Sequence, residues 1–172
     1  LKYVGEAVDK LPNEIKGAIA FSAPVNLSAG SSRLAEPDNR IYSNRFLRKL
    51  KKKVRLKNSQ FPDLIKLENL SNIHDLKTFD DYFTAPIHGF KNAEDYYQKS
   101  SSNQFLKNIK IPTLLVNAAN DPILRPSCMP FDEARDHKYF YFEVPELGGH
   151  CGFMLRGQKR SWAEVRALEW CN

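Results

Sequence analysis

Two residues of this chain have the types and the setting to move a proton under control. Asp121 stands in "AANDPIL", directly after an apolar run, and His150 stands in "VPELGGHCGF", after the next such run. Pro122 biases Asp121 away from helical backbone and into an extended turn past the strand end. Gly148 and Gly149 open backbone conformations closed to other residues, which lets the loop carry the imidazole back over the strand ends. An acid after one strand, followed by a histidine after the next, is the second half of the chain order Ser…Asp…His. Histidine takes the proton of a serine hydroxyl and returns it to the leaving group. The carboxylate fixes the imidazole tautomer and stabilises the imidazolium. Spacing alone leaves the plainer reading open, with Asp121 a turn-former and His150 a loop residue.

For the two to meet, parallel strands must bring their carboxyl ends together, where open α/β sheets gather catalytic groups. "LKYVGEAVDKL" puts Leu1, Val4, Val8 and Leu11 on one helical face, with no N-cap before it and Pro12-Asn13 to end it. "IKGAIAFSAPV" predicts a strand over 17–22, buried on both faces as parallel strands are. Residues 26–102 turn polar, basic and helix-like, divided by "AEPDN" and by breaks at Pro62 and Pro86. "IKIPTLLVNAANDP" restores a strand over 113–117, and a short helix follows near 131–136. "KYFYFEVP" predicts a third strand over 139–144. "RSWAEVRALEWCN" closes with an amphipathic helix carrying Trp162, Val165, Leu168 and Trp170, opened by a capping box of Ser161 and Glu164. Strands alternating with helices in this order predict an α/β fold with a parallel sheet.

Composition excludes other classes. A chain 42% hydrophobic and 27% charged is neither disordered nor membrane-embedded, and no run of about 18 apolar residues appears. Three cysteines, Cys128, Cys151 and Cys171, fit neither a disulfide framework nor metal-ligand spacing, which points to a reducing, cytoplasmic setting. No signal peptide is visible, although a chain opening at Leu1 rather than Met leaves room for one upstream. The net charge of +6 is concentrated: "RFLRKLKKKVRLK", 45–57, holds eight basic residues and no acid. Phe46, Leu47, Leu50 and Val54 fall at helical spacing within it, so it reads as a basic amphipathic helix. A solvated face on a peripheral subdomain is its leading reading. An anionic membrane surface or acidic substrate comes second. Nucleic acid comes last, because no recognised binding motif accompanies the charge.

"FDDYFTAPIHGFKNAEDYYQKSS", "IKIPTLLVNAANDPIL" and "VPELGGHCGF" together resemble the YheT-like branch of the α/β-hydrolases, and the resemblance runs from Leu1 to the C-terminus. The "T…GF…DYY…S" pattern is distinctive for that branch. The resemblance implies the C-terminal part of an α/β-hydrolase fold, with core at 1–26 and 103–172 and a helical lid at 27–102. It also implies a serine esterase acting on small-molecule carboxylic esters, some of them lipid-like, without metal or organic cofactor. Asp121 matches the catalytic acid and His150 the catalytic base. "LKYVGE" looks like the helix that follows the nucleophile elbow. The serine and the oxyanion hole then fall upstream of Leu1, and the 172 residues alone are expected to be inactive.

No internal residue replaces that serine. Ser22 ends a strand without flanking glycines, "GSS" at 30–32 lacks the strand–turn–helix setting, and Cys151 is a sequence neighbour of His150 and so points elsewhere. Phe79, Tyr82, Phe83, Phe90, Tyr96 and Tyr97 are candidates for an acyl pocket, but such density more often builds a lid's own core. Asp80, Asp81 and Asp95 read as helix starts and surface groups, and His74 and His88 as structural or exposed. An alternative of another class is a non-catalytic module that uses the hydrolase scaffold and basic helix as an interaction surface.

Overall fold

"TLLV" offers solvent almost nothing, and it becomes the middle strand of a three-stranded parallel sheet in the computed structural model, which describes residues 1–171. In chain order the helices and strands are α1 (Lys2–Glu6), β1 (Ala18–Phe21), α2 (Leu27–Leu34), α3 (Arg40–Asn58), α4 (Leu76–Phe79), α5 (Ala85–Ile87), α6 (Ala93–Ser100), β2 (Thr113–Val116), α7 (Phe131–Arg135), β3 (Phe140–Glu143) and α8 (Trp162–Cys171). The chain divides into two compact units, one of Leu1–Asn26 with everything from Ser101 onward, the other of Leu27–Ser100.

The sheet of the first unit runs β1-β2-β3, with Ala18 opposite Thr113 and Thr113 opposite Phe140. Every residue of β2 is buried. The period of two sends Leu115 to one face, packed with Val4, Val25, Leu106, Ile109 and Phe140, and Leu114 and Val116 to the other, packed with Ala118, Phe153 and Trp162. Helical residues therefore cover both faces, as parallel strands require. Gly5 permits one close approach: a Cβ there would lie 2.4 Å from the carbonyl oxygen of Phe105.

Three sequence expectations about the first unit are corrected here. The first helix stops at Glu6 and continues only as a 3-10 turn over Val8–Lys10, so Val8 and Leu11 do not extend one α-helical face. β1 is half-buried throughout, because it is an edge strand among the described residues and lacks the cover on both sides that β2 has. Leu168 points outward from α8 at 54% exposure, while Trp162 and Trp170 pack on the sheet. The capping box of α8 forms as expected, with Ser161 N–H donating to Glu164 Oε2 at 2.7 Å and Glu164 N–H to Ser161 Oγ at 3.2 Å.

The second unit has its own core of Leu47, Val54, Ile65, Leu70, Ile73, Phe79 and Phe83. Pro86 does not break its helix. A π-turn over Asp80–Thr84 joins α4 to α5, and the Ala85 N–H reaches back to the Asp80 carbonyl. That wider turn accommodates a proline ring that would collide with a carbonyl of a regular α-turn. The segment ends at Gly89, φ +76°, where Gly89 N–H donates to Pro86 O and Phe90 N–H to Ala85 O. This pairing satisfies the last carbonyls of the helix.

Candidate active site

Asp121 and His150 come together at the carboxyl ends of β2 and β3. His150 Nδ1 lies 2.9 Å from Asp121 Oδ2. The carboxyl of Asp121 is fully buried, whereas the imidazole is 28% exposed. Asp121 Oδ1 accepts from the Ile123 N–H at 2.8 Å, closing an Asx turn, and Asp121 N–H donates to the Ala118 carbonyl. A buried carboxylate with both oxygens engaged holds one orientation and leaves Nε2, the far nitrogen of the ring, for chemistry.

The loop that carries His150 is held at several points that spacing does not reveal. Asn120 Oδ1 accepts from both Gly148 N–H and Gly149 N–H, at 3.0 and 2.8 Å. Gly149 takes φ +57°, and a Cβ there would meet no atom within 4 Å, so its role is conformational. Gly148 serves packing instead: a Cβ would lie 2.6 Å from the Phe153 ring and 2.8 Å from Ala118 Cβ. Phe153, itself at φ 44°, stacks on Trp162 with ring centroids 5.9 Å apart and meets Phe21 edge-on. Arg166 of α8 forms a two-pronged pair with Glu143 at the end of β3, Nη2 to Oε1 at 2.6 Å and Nε to Oε2 at 2.9 Å. Asn117 is wholly buried, its side chain tying Ala23 to Cys128 across the same sheet end. The one sequence signal for Asn117 and Asn120 is their polarity in a run that is otherwise apolar.

The set-aside nucleophiles stay apart from this pair. Ser22 follows β1 with φ 52°, but its Oγ is buried and makes no hydrogen bond. The thiol of Cys151 is raised, first by desolvation and then by the negative charge of Asp121, the opposite of an activated thiolate. In the second unit Phe79, Phe83 and Tyr97 are buried, while Tyr82 is exposed and Phe90 and Tyr96 are half-buried. Tyr97 donates to Asp80 Oδ2 at 2.6 Å, and burial, reinforced by that carboxylate, pushes its phenol well above the usual range. Asp81 accepts from the Ala93 N–H at the start of α6, 12 residues on, and Asp95 from the Lys91 N–H, while Lys77 and Lys99 pair with the same two carboxylates. Among the described residues no group of three or more His, Cys, Asp or Glu side chains is placed to hold a metal ion.

A parallel sheet covered by helices on both faces, with this order of elements, is the C-terminal part of an α/β-hydrolase fold. The resemblance of the chain to the YheT-like branch of the α/β-hydrolases is borne out by its relatives. It is 33% identical to "Putative esterase YheT" of Escherichia coli (strain K12) over 162 residues, 91% of this chain and 47% of that protein. It is 31% identical to "Monoacylglycerol lipase" of Saccharomyces cerevisiae, covering 93% of this chain and 36% of that one. It is 30% identical to "Phospholipase ABHD3" of Mus musculus, covering 90% and 37%. The chain thus spans less than half the length of each of these relatives. No family model matches it, and no solved structure does so significantly. No helix among the described residues is long and apolar enough to cross a membrane.

Proposed function

We propose that this chain supplies the acid and base of a Ser–Asp–His triad in a carboxylic ester hydrolase, with the serine provided by protein outside these residues. The observation that carries the reading is the 2.9 Å contact between His150 Nδ1 and the buried Asp121 Oδ2. Asp121 orients the ring so that Nε2 faces the nucleophile. His150 Nε2 takes the serine proton as Oγ attacks the acyl carbon, and an acyl-enzyme forms as the alcohol leaves with that proton. Water then attacks the acyl-enzyme, His150 again accepting a proton and returning it to the serine. Relatives named esterase, lipase and phospholipase favour carboxylic esters, lipid-like acyl chains among them, as the substrate class. These 172 residues alone are expected to turn over nothing.

The test is ester turnover and fluorophosphonate labelling of the whole protein that carries this chain. Asp121→Asn should lower turnover by about 10⁴-fold. Ser22→Ala should leave labelling intact, because Ser22 Oγ is buried and unbonded. Full activity in Asp121→Asn would overturn the triad, and loss of labelling in Ser22→Ala would move the nucleophile to Ser22.

A further inference from the structure

Helix α3 buries a narrow stripe and leaves a wide cationic surface. Ser43, Leu47 and Val54 are buried, and the last two join the core of their unit. Successive residues turn by about 100°, so Ile41, Arg45, Lys49, Lys52 and Leu56 line the opposite face. All five are exposed, Ile41 at 83% and Leu56 at 59%.

The helix carries nine Lys and Arg residues and no carboxylate. Among the described residues none of the nine forms an ion pair. Lys51 and Lys57 donate only to neutral oxygens, the Ile73 carbonyl at 2.7 Å and Gln60 Oε1 at 3.2 Å. Along one flank runs an open groove of about 1030 Å³ whose walls carry Arg45, Arg48, Lys49 and Lys51 and no acid. Like charges three and four residues apart destabilise a helix unless something answers them.

The partner must therefore be anionic, and the apolar residues narrow it further. Phosphates of a nucleic acid would neutralise the cations but have no use for Ile41 and Leu56 at the two ends of the exposed stripe. An anionic bilayer offers both a layer of phosphates and, just beneath it, apolar material for the two side chains. We propose that α3 is a docking helix that lies flat on anionic phospholipid, Ile41 and Leu56 entering the interface and the groove cations taking headgroup phosphates. This goes beyond the catalytic reading and does not depend on it.

Vesicle co-sedimentation of the whole protein tests it, comparing phosphatidylcholine alone with an equal mixture of phosphatidylcholine and phosphatidylglycerol. Binding should appear only with the mixture and weaken as salt shortens the Debye length from about 30 Å at 0.01 M to about 8 Å at 0.15 M. Each cation near such a surface raises partition roughly fivefold, so Arg45→Gln, Lys49→Gln and Lys52→Gln together should lower it about a hundredfold. Ile41→Ser with Leu56→Ser should weaken vesicle binding several-fold while leaving binding to a single-stranded oligonucleotide unchanged. All the substituted side chains are exposed, and circular dichroism checks that the helix persists. Equal binding to both vesicles, indifference to the Gln or the Ser substitutions, or tighter binding to the oligonucleotide than to the vesicles would overturn the proposal.

Discussion

The side chain of Asn120 accepts a hydrogen bond from the backbone of Gly149 at 2.8 Å, and a second from Gly148 at 3.0 Å. The residue before the acid thereby holds the loop before the histidine, so the two halves of the pair are tied twice, once through Asp121 and once through its neighbour. Asn120→Ala removes that second tie without touching the carboxylate. It should cost about 1 kcal/mol of stability, since both bonds lie in exposed surroundings. Under the proposed triad, turnover by the whole protein should fall more, on the order of tenfold to a hundredfold, because a small misplacement of His150 would be expensive. Denaturant melts and ester kinetics on one preparation separate the two effects.

The adjacent glycines predict unequal costs. Alanine at 148 meets the Phe153 ring, which is 2% exposed and has nowhere to go, so Gly148→Ala should destabilise by about 2–3 kcal/mol. Alanine at 149 meets no atom but must adopt φ +57°, which costs about 1 kcal/mol. Thermal or urea unfolding of the pair should therefore rank Gly148→Ala as the more damaged protein. The reverse order would mean that the Phe153 contact is soft.

Cys151 reports on the charge of Asp121. Desolvation and then that negative charge hold its thiol above the usual range, so the thiolate is scarce near neutral pH and iodoacetamide alkylation should be slow. Asp121→Asn removes the charge and favours the thiolate. The alkylation rate at pH 8 should then rise a few-fold. An unchanged rate would show that desolvation alone holds the thiol up.

Glu164 links α8 to pH. Hydrogen bonds from the Ser161 backbone, then from its side chain, hold this carboxyl below the usual glutamate range. Its folded value is thus lower than its unfolded one, so the cap contributes fully above the ordinary glutamate range and is lost as pH falls through the depressed value. Acid titration followed by the fluorescence of Trp162 and Trp170 should show fraying of α8 in that window. Glu164→Ala should already be frayed at neutral pH and lose the transition.

Much of the fold was legible because local patterns and tertiary demands agree. "TLLV" is apolar on both sides of a strand, and β2 is buried on both. Ser161 and Glu164 stand three apart, and the cap is there. Agreement failed where an element's neighbours decide: β1 reads like β2 but sits at the edge of the described sheet, and Leu168 falls on the apolar spacing of α8 but points outward. Pro86 reads as a break because the rule assumes an α-turn before it, and a π-turn stands there instead.

By itself the sequence determined the residue types of the site and their placement after successive strands, since periodicity and turn chemistry act over a few neighbouring residues. It also determined the cationic character of α3, because charge is a sum over side chains. Only the tertiary structure decided that His150 Nδ1 meets Asp121 Oδ2 across 29 residues of chain, and that Asn120, Phe153 and Arg166 hold the surrounding frame. Those contacts depend on the parallel register of β2 and β3 and on the path of the chain between them, which hydrogen bonds and packing from both faces of the sheet impose together.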